Sequence, residues 1–237
     1  MSKVLTVIPA RLGSTRFPKK VLAMLNGKSM IERCWRAAVS AKLGPVIVAA
    51  DSKPVAEEVR RFGGQVVMTP PSCPSGSDRV WLAAKGRKEA VILNFQGDMP
   101  LIQTETLRAT VRALSVGADI ATAVIPLTDP ARAADPNVVK AVRSVDGTCL
   151  YFSRAPVPHG SAPKWEHLGL YVYRRAALRK FVELAPSPLE RSEKLEQLRA
   201  LEAGMRMKAA VVDERPVSVD VPADLRRAEL LLRRGQK

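Results

Sequence analysis

VLTVIPARLGSTRFPKKVL, from Val4 to Leu22, is an apolar run followed directly by a cationic loop. Val4 to Ile8 carries a single hydroxyl among aliphatic residues, the pattern of a parallel strand buried on both faces. Pro9 has no N–H to give to a ladder, so the strand is expected to stop there. The loop ARLGSTRFPKK then brings Gly13, the hydroxyls of Ser14 and Thr15, and the cations Arg11, Arg16, Lys19 and Lys20. In an open α/β sheet, ligands bind in the crevice beyond the carboxyl ends of the strands. Small residues there let backbone N–H groups approach a polyphosphate, and cations balance its charge. A solvated basic loop has the same composition, but four cations crowded around a Gly-Ser-Thr turn favour phosphate. Neither G-x-x-x-x-G-K-[ST] nor G-x-G-x-x-G occurs, so neither an ordinary ATPase nor a dinucleotide enzyme is supported.

Outward from this stretch, apolar strands alternate with amphipathic helices. Ser29 and Glu32 fit a capping box opening a helix to about Lys42, with Met30, Ile31, Cys34, Ala37 and Ala38 inward. Pro45 to Ala50, Gln65 to Met68 and Ala90 to Phe95 read as further strands, with helices between them. Short β-α repeats of this kind demand a parallel sheet. After a helix from Thr104 to about Val116 and a strand from Asp119 to Ile125, the pattern changes. Val138 to Arg143 and Cys149 to Ser153 flank Asp146-Gly147, a hairpin signal, so antiparallel strands join here. A strand from His167 to Tyr173, helices over 176–184 and 189–203, strands over 206–212 and 216–219, and a last helix from Pro222 complete the chain. The expected fold is α/β: a mostly parallel, Rossmann-like sheet with a small antiparallel lobe over about 138–173, all within one domain, 1–237.

Composition narrows the classes further. Hydrophobic residues make up 46% of the 237 positions, enough for a sizeable core, and no apolar run reaches the ~20 residues of a membrane span. The chain enters a strand at once with no signal-peptide pattern, so a cytoplasmic location is expected. Cys34, Cys73 and Cys149 are far apart and lack CxxC spacing, which reads as free thiols. The net charge of +15 raises nucleic acid as a partner, yet the cations are spread over many helices and aromatics for base stacking are only 5%. The excess reads better as attraction toward anionic small substrates.

Several separated motifs share one resemblance. Pro9-Ala10-Arg11 with Ser14-Thr-Arg16-Phe-Pro-Lys-Lys20 resembles the nucleotide loop of the cytidylyltransferases that activate sugar acids. Ser75-Gly76-Ser-Asp-Arg79 is similar to their S-G-T-[ED]-R stretch, with Ser77 for threonine; on its own it reads equally well as a helix cap. Asn94-Phe-Gln96-Gly-Asp98-Met-Pro100 resembles N-V-Q-G-D-E-P, with Phe95 and Met99 as departures. Tyr151-Phe-Ser-Arg154, His167-Leu-Gly-Leu-Tyr171, Glu196-Gln197-Leu-Arg199 and Val219-Asp220-Val-Pro-Ala-Asp224-Leu225 match further family stretches, and the segment between Arg154 and His167 is shorter than usual. From Val4 to about Leu232 the chain resembles the 3-deoxy-manno-octulosonate (Kdo) cytidylyltransferase family.

That resemblance implies CTP and a Kdo-type sugar acid as substrates, giving a CMP-sugar and pyrophosphate for lipopolysaccharide or capsule synthesis, in a homodimer. It implies Pro9, Ala10, Arg11, Arg16, Lys20, Ser75, Gly76 and Arg79 on the nucleotide, with Arg11, Lys20, Asp98 and Asp220 catalytic. It implies Mg²⁺ on Asp98 and Asp220, and Gln96, His167, Tyr171, Glu196 and Gln197 on the sugar acid. Lys19 is expected to face water and Asp224 to cap the last helix or lie exposed. Three alternatives stay open: another sugar acid of sialic or amino-octulosonate type, another nucleoside triphosphate, and a basic nucleic-acid-binding protein.

Overall fold

The computed structural model describes residues 4–13, 16–160, 162–213 and 215–234. Ser14 and Thr15, the two hydroxyls of the cationic loop, lie outside them. Packing groups the chain into two compact units, residues 1–107 with 216–237, and residues 108–215.

In the first unit, β1 (Val4–Ala10) lies between β4 (Val46–Ala50) and β6 (Val91–Asn94), with β5 (Gln65–Met68) beyond β4, all four parallel. The double burial expected for the first strand is met: Leu5, Val7 and Ile8 are wholly enclosed. Pro9 does not end the strand, because it pairs with Ala49 and Ala10 with Ala50. The reason lies in which neighbour each residue addresses. Thr6 donates its N–H to Pro45 on the β4 side, while the Val7 carbonyl accepts from Phe95 on the β6 side. Alternation turns the nitrogen of Pro9 toward β6, whose ladder has already ended at Asn94 opposite Val7.

Between β1 and β4 come a short 3-10 turn at Lys20–Leu22, a hairpin of β2 (Met24–Leu25) and β3 (Lys28–Ser29), and helix α1 (Met30–Ser40). The hairpin was not foreseen, although Asn26 and Gly27, at φ 47° and 75°, are the residues a two-residue turn of this kind requires. Ser29 caps α1 by accepting from the Glu32 N–H at 3.3 Å. The reciprocal half of the expected capping box is absent; the buried Glu32 carboxylate accepts from Arg36 at 2.9 Å and Arg61 at 2.8 Å. Helices α2 (Lys53–Arg61) and α3 (Gly76–Ala84) complete the β-α repeat, and the division between the units falls inside α4 (Thr104–Arg112).

The second unit is a mixed sheet. β7 (Ile120–Pro126) and β11 (Met207–Val211) are parallel, while β10 (Trp165–Arg174) runs antiparallel to β7. β8 (Lys140–Arg143) and β9 (Cys149–Ser153) form the expected hairpin, and β8 continues onto β10, which makes the antiparallel lobe. The register of β10 on β7 shifts between His167 and Tyr171, where Gly169 takes φ 63°. Helices α5 (Pro130–Ala134) and α6 (Arg175–Glu183) belong to this unit.

Two further sequence expectations fail locally. The single helix over 189–203 is two, α7 (Pro188–Glu193) and α8 (Leu198–Glu202), broken where Lys194 turns left-handed at φ 54°. Tertiary bonds hold the break: Arg154 donates from Nε to the Glu193 carbonyl at 2.9 Å, and Glu193 accepts from Ser153 Oγ at 2.6 Å and the Arg154 N–H at 2.9 Å. Propensity for a continuous helix loses to that network. Residues 216–219 form no strand; their tie is a bond from the Val219 N–H to the Asp98 carbonyl at 2.8 Å. Val219 is anchored by its side chain instead, packed with Leu25, Met30 and Ala228, the last from α9 (Pro222–Arg234).

Lys140 is wholly buried in the second unit, and its ammonium donates to the carbonyls of Asp135, Val138 and Arg154 at 2.9, 2.7 and 2.5 Å. Among the described residues no helix is long and apolar enough to cross a membrane.

Candidate active site

In the first unit, the carboxyl ends of β1 and β6 open onto a cleft of about 270 Å³. Pro9, Arg11, Arg16 and Lys20 line it from the cationic loop, Gln96, Gly97 and Asp98 from the end of β6, and Asp220 from the segment before α9. The loop is braced at its start by Asp51, whose carboxylate accepts the Leu12 N–H at 3.0 and 3.2 Å. Asp51 is not among the site residues expected from the sequence. Its place at the tip of the strand beside β1 was the available signal. At the far end of the loop Lys19 is exposed and left-handed at φ 57°, which turns Lys20 inward onto its 3-10 turn.

Lys20 joins the two aspartates. Its Nζ is 3.1 Å from Asp220 Oδ1 and 3.5 Å from Asp98 Oδ2, and Arg16 Nη2 reaches the same Asp220 oxygen at 3.1 Å. Burial, then the charge of Asp220, hold the Asp98 carboxyl above the ordinary carboxylate range against the pull of Lys20. Two carboxylates converging on one cationic nitrogen form a hard-oxygen donor pair of the kind Mg²⁺ takes, the remaining positions being left to substrate oxygens and water. Among the described residues no third His, Cys, Asp or Glu joins them. Gly97 has backbone carbonyl oxygen of Pro9 at 3.3 Å from where a Cβ would sit, so a side chain there would press on the first strand. Met99 is buried, so the apolar departure from the family pattern serves the core. Asp224 caps α9, accepting the N–H groups of Asp220 and Val221 at 2.9 and 3.0 Å, and thereby fixes the backbone that carries Asp220.

The Ser75–Arg79 stretch takes the helix-cap role left open for it: Ser75 accepts the Asp78 N–H at 3.1 Å and donates to its carboxylate at 2.6 Å. Arg79 is buried, bonded to Thr69 Oγ1 at 2.6 Å, and Ala10 is buried in β1. A Cβ on Gly76 would meet the amide of Gln96 at 3.5 Å. The Gln96 side chain thus rests over the start of α3 and donates to Asn94 Oδ1 at 2.8 Å.

Of the residues expected on the sugar side, Gln96 lies in the first unit, and His167, Tyr171, Glu196 and Gln197 lie in the second. The His167 ring packs against Phe152 and Tyr171, with centroids 4.8 and 5.4 Å away. Despite the register shift both rings stay on one face, because β10 advances four residues there against two on β7, an even excess that preserves the alternation. Thr122 Oγ1 gives its only proton to the Leu170 carbonyl at 2.7 Å, so at 2.8 Å it accepts from His167 Nε2. His167 is therefore the Nε2–H tautomer with Nδ1 as its acceptor. Burial holds its pKa down to about 3, so the imidazole is neutral and serves as a hydrogen-bonding group rather than a cation. Burial, with Tyr173 and then Glu196, raises the Tyr171 phenol, which stays protonated. Glu196 and Gln197 sit at the break before α8, with Gln197 buried.

The neutral His167 has a measurable consequence. Its folded pKa of about 3 lies below the ordinary 6.5, so between those values the unfolded chain takes up a proton that the folded chain refuses. Stability is full above that window and falls as pH drops through it. For a half-buried ring the loss by about pH 5 is on the order of 1 kcal/mol. Urea midpoints at neutral and mildly acid pH should separate less in His167→Gln than in the parent; equal separation would place the proton uptake elsewhere.

A family model described as cytidylyltransferase matches residues 5–207. The chain belongs to the cytidylyltransferase family. Within it, the 3-deoxy-manno-octulosonate cytidylyltransferase of Methylobacterium radiotolerans is 50% identical over 98% of each chain. That of Paramagnetospirillum magneticum is 49% identical over 96% of each. Among solved structures, a CMP:2-keto-3-deoxy-manno-octonic acid synthetase complexed with CTP superposes with a TM-score of 0.95 at 34% identity, covering 99% of this chain and all of that one. A nucleotidyl transferase from Methanothermobacter thermautotrophicus, at 20% identity and TM-score 0.66, shares the fold. As a member of the cytidylyltransferase family the chain is a nucleotidyltransferase, and the α/β fold expected from its strand pattern is the fold of that family.

Proposed function

We propose that this chain transfers the cytidylyl group of CTP to 3-deoxy-manno-octulosonate, releasing pyrophosphate; its relatives are named 3-deoxy-manno-octulosonate cytidylyltransferases, and the similar synthetase is complexed with CTP. The carrying observation is the cleft in which Arg16 and Lys20 meet Asp98 and Asp220 at the end of the parallel sheet. In this reading residues 1–237 act as one nucleotidyltransferase domain, in the cytoplasm and as a homodimer.

The anomeric hydroxyl of the sugar acid attacks the α-phosphorus; the new P–O bond forms as the bond to pyrophosphate breaks in line. Such a transfer needs positioning and charge neutralisation rather than a covalent enzyme intermediate. Arg11, Arg16 and Lys20 receive the triphosphate and stabilise the leaving pyrophosphate. Pro9, Ala10, Ser75, Gly76 and Arg79 complete the nucleotide site in this reading, with Gln96 resting over the start of α3. Asp98 and Asp220 would hold Mg²⁺, which when bound supplies Lewis-acid polarisation of the α-phosphate and eases loss of the attacking proton. Gln96, His167, Tyr171, Glu196 and Gln197 hydrogen-bond the sugar acid, with His167 Nδ1 accepting from a hydroxyl.

Pyrophosphate release with each of four nucleoside triphosphates, against Kdo, a sialic acid and an amino-octulosonate, tests the substrate pair. CTP with Kdo should be fastest; a faster rate with another pair replaces this reading with that one. Arg16→Ala and Lys20→Ala should each lower CTP turnover by about tenfold or more, each removing a charge-assisted phosphate contact. The exposed Lys19→Ala should change it little. An essential Lys19 beside a dispensable Lys20 would shift the register of the whole loop.

A further inference from the structure

Neutralising a phosphate does not account for where Lys20 points. Its ammonium bridges the two carboxylates that would carry the metal, at 3.1 Å from Asp220 and 3.5 Å from Asp98. Its side chain is 14% exposed, while the more open Arg16, at 65%, approaches the same Asp220 oxygen from outside. The backbone that carries Lys20 is fixed: its N–H donates to the Phe17 carbonyl at 3.1 Å, and its own carbonyl accepts from Ala23 at 3.0 Å. Only the four-carbon stem is left to swing, and the rest of the cleft is within its sweep.

An ammonium and a divalent ion cannot share this place. Both draw on the carboxylate oxygens of Asp98 and Asp220, and at hydrogen-bond range two cations repel strongly even in a half-screened site. A triphosphate alters the balance, because it offers Lys20 and Arg16 a denser negative partner while adding its own oxygens as metal ligands. Whatever a triphosphate does for metal affinity, the metal must then do for triphosphate affinity by the same factor.

Resting on the two-aspartate metal reading above, we propose that Lys20 is also a positioning residue, a tethered cation that holds Asp98 and Asp220 together and keeps free divalent ions off them until a nucleotide draws it away. Metal and nucleotide then bind as coupled partners, and a metal ion alone finds the site guarded.

Direct Mn²⁺ binding, followed by the spin-resonance signal of the free ion on the full chain, tests this without any turnover. Lys20→Met keeps the stem and loses the charge. Without nucleotide, Lys20→Met should bind Mn²⁺ about tenfold or more tighter than the parent. CTP, after subtraction of its own Mn²⁺ binding, should tighten the ion strongly in the parent and weakly in Lys20→Met. The variant should also melt lower in chelator and recover with metal, whereas the parent's melt is insensitive to metal alone. Tight binding of Mn²⁺ by the nucleotide-free parent, equal to the variant, overturns the guarding role and leaves the metal site standing. Failure of parent and variant alike to bind Mn²⁺ beyond CTP alone, with Asp98→Asn indistinguishable from both, overturns the metal reading along with it.

Discussion

Asp98→Asn and Asp220→Asn are each expected to lower kcat by ~10²-fold or more, a loss of ~3 kcal/mol of transition-state stabilisation. Each replacement keeps size and hydrogen bonding and removes one of the two negative charges that meet at Lys20. Folding should suffer far less. Asp98 sits at the cleft mouth with its carboxyl already held toward the protonated form by burial, so neutralising it relieves repulsion from Asp220 as well as costing an ion pair. Asp220 loses an exposed ion pair to Arg16, which contributes little, and a half-buried one to Lys20, which keeps Asp98 as a partner. Melting temperatures should stay within a few degrees of the parent. The double variant should be less than additive, since both residues serve one ion. Steady-state CMP-sugar synthesis across a Mg²⁺ titration, beside thermal melts of all three variants, reads both quantities. Unimpaired turnover in Asp220→Asn would reduce that residue to a partner for Arg16; unimpaired turnover in Asp98→Asn would remove the mechanism.

Gly44→Ala is expected to produce the largest loss of stability among the glycine-to-alanine changes at the described residues. Gly44 precedes β4, and a Cβ built there would lie 2.3 Å from the Val4 carbonyl oxygen and 3.1 Å from the Val4 nitrogen. Those are backbone atoms at the start of the first strand, next to the bond from the Val4 N–H to the Leu43 carbonyl at 3.2 Å. A rotamer change cannot clear them; β1 or the turn must move. The cost should be about 3 kcal/mol or more, the upper range for overpacking, which for a chain of this length lowers the melting temperature by roughly 6–12 °C. Gly86→Ala is the matched control, because a Cβ there meets nothing within 4 Å. Equal melts for the two variants would mean that the start of β1 yields freely.

Much of this architecture is written locally. The aliphatic runs of β1 and β4 are buried on both faces because a central parallel strand has no solvent side. Gly and Pro marked most boundaries. The failures share a cause, which is that distant partners decided them. Nothing near Lys194 announces a break in the helix; Arg154 and Ser153, some forty positions earlier, impose it. The apolar alternation of 216–219 looks like a strand, yet the segment is held by packing of Val219 with Leu25, Met30 and Ala228. The site divides in the same way. The density of cations around Gly13 pointed to phosphate by composition alone. That Asp98 and Asp220 share a lysine could come only from the fold or from family likeness, because no periodicity connects positions so far apart. Asp51 braces the loop through a backbone N–H, so no partner side chain marks the pairing, and its place at the tip of β4 is the one local sign.

An amine must present its lone pair to be acylated, and the exposed lysines of this chain do so at once. Lys140 has no such freedom, with its nitrogen enclosed by three carbonyls and its stem wholly covered. An acylating reagent therefore reaches it only in molecules whose second unit has come apart. The extent of reaction at that one side chain keeps time for the opening of the packing that joins residues 135–140 to Arg154.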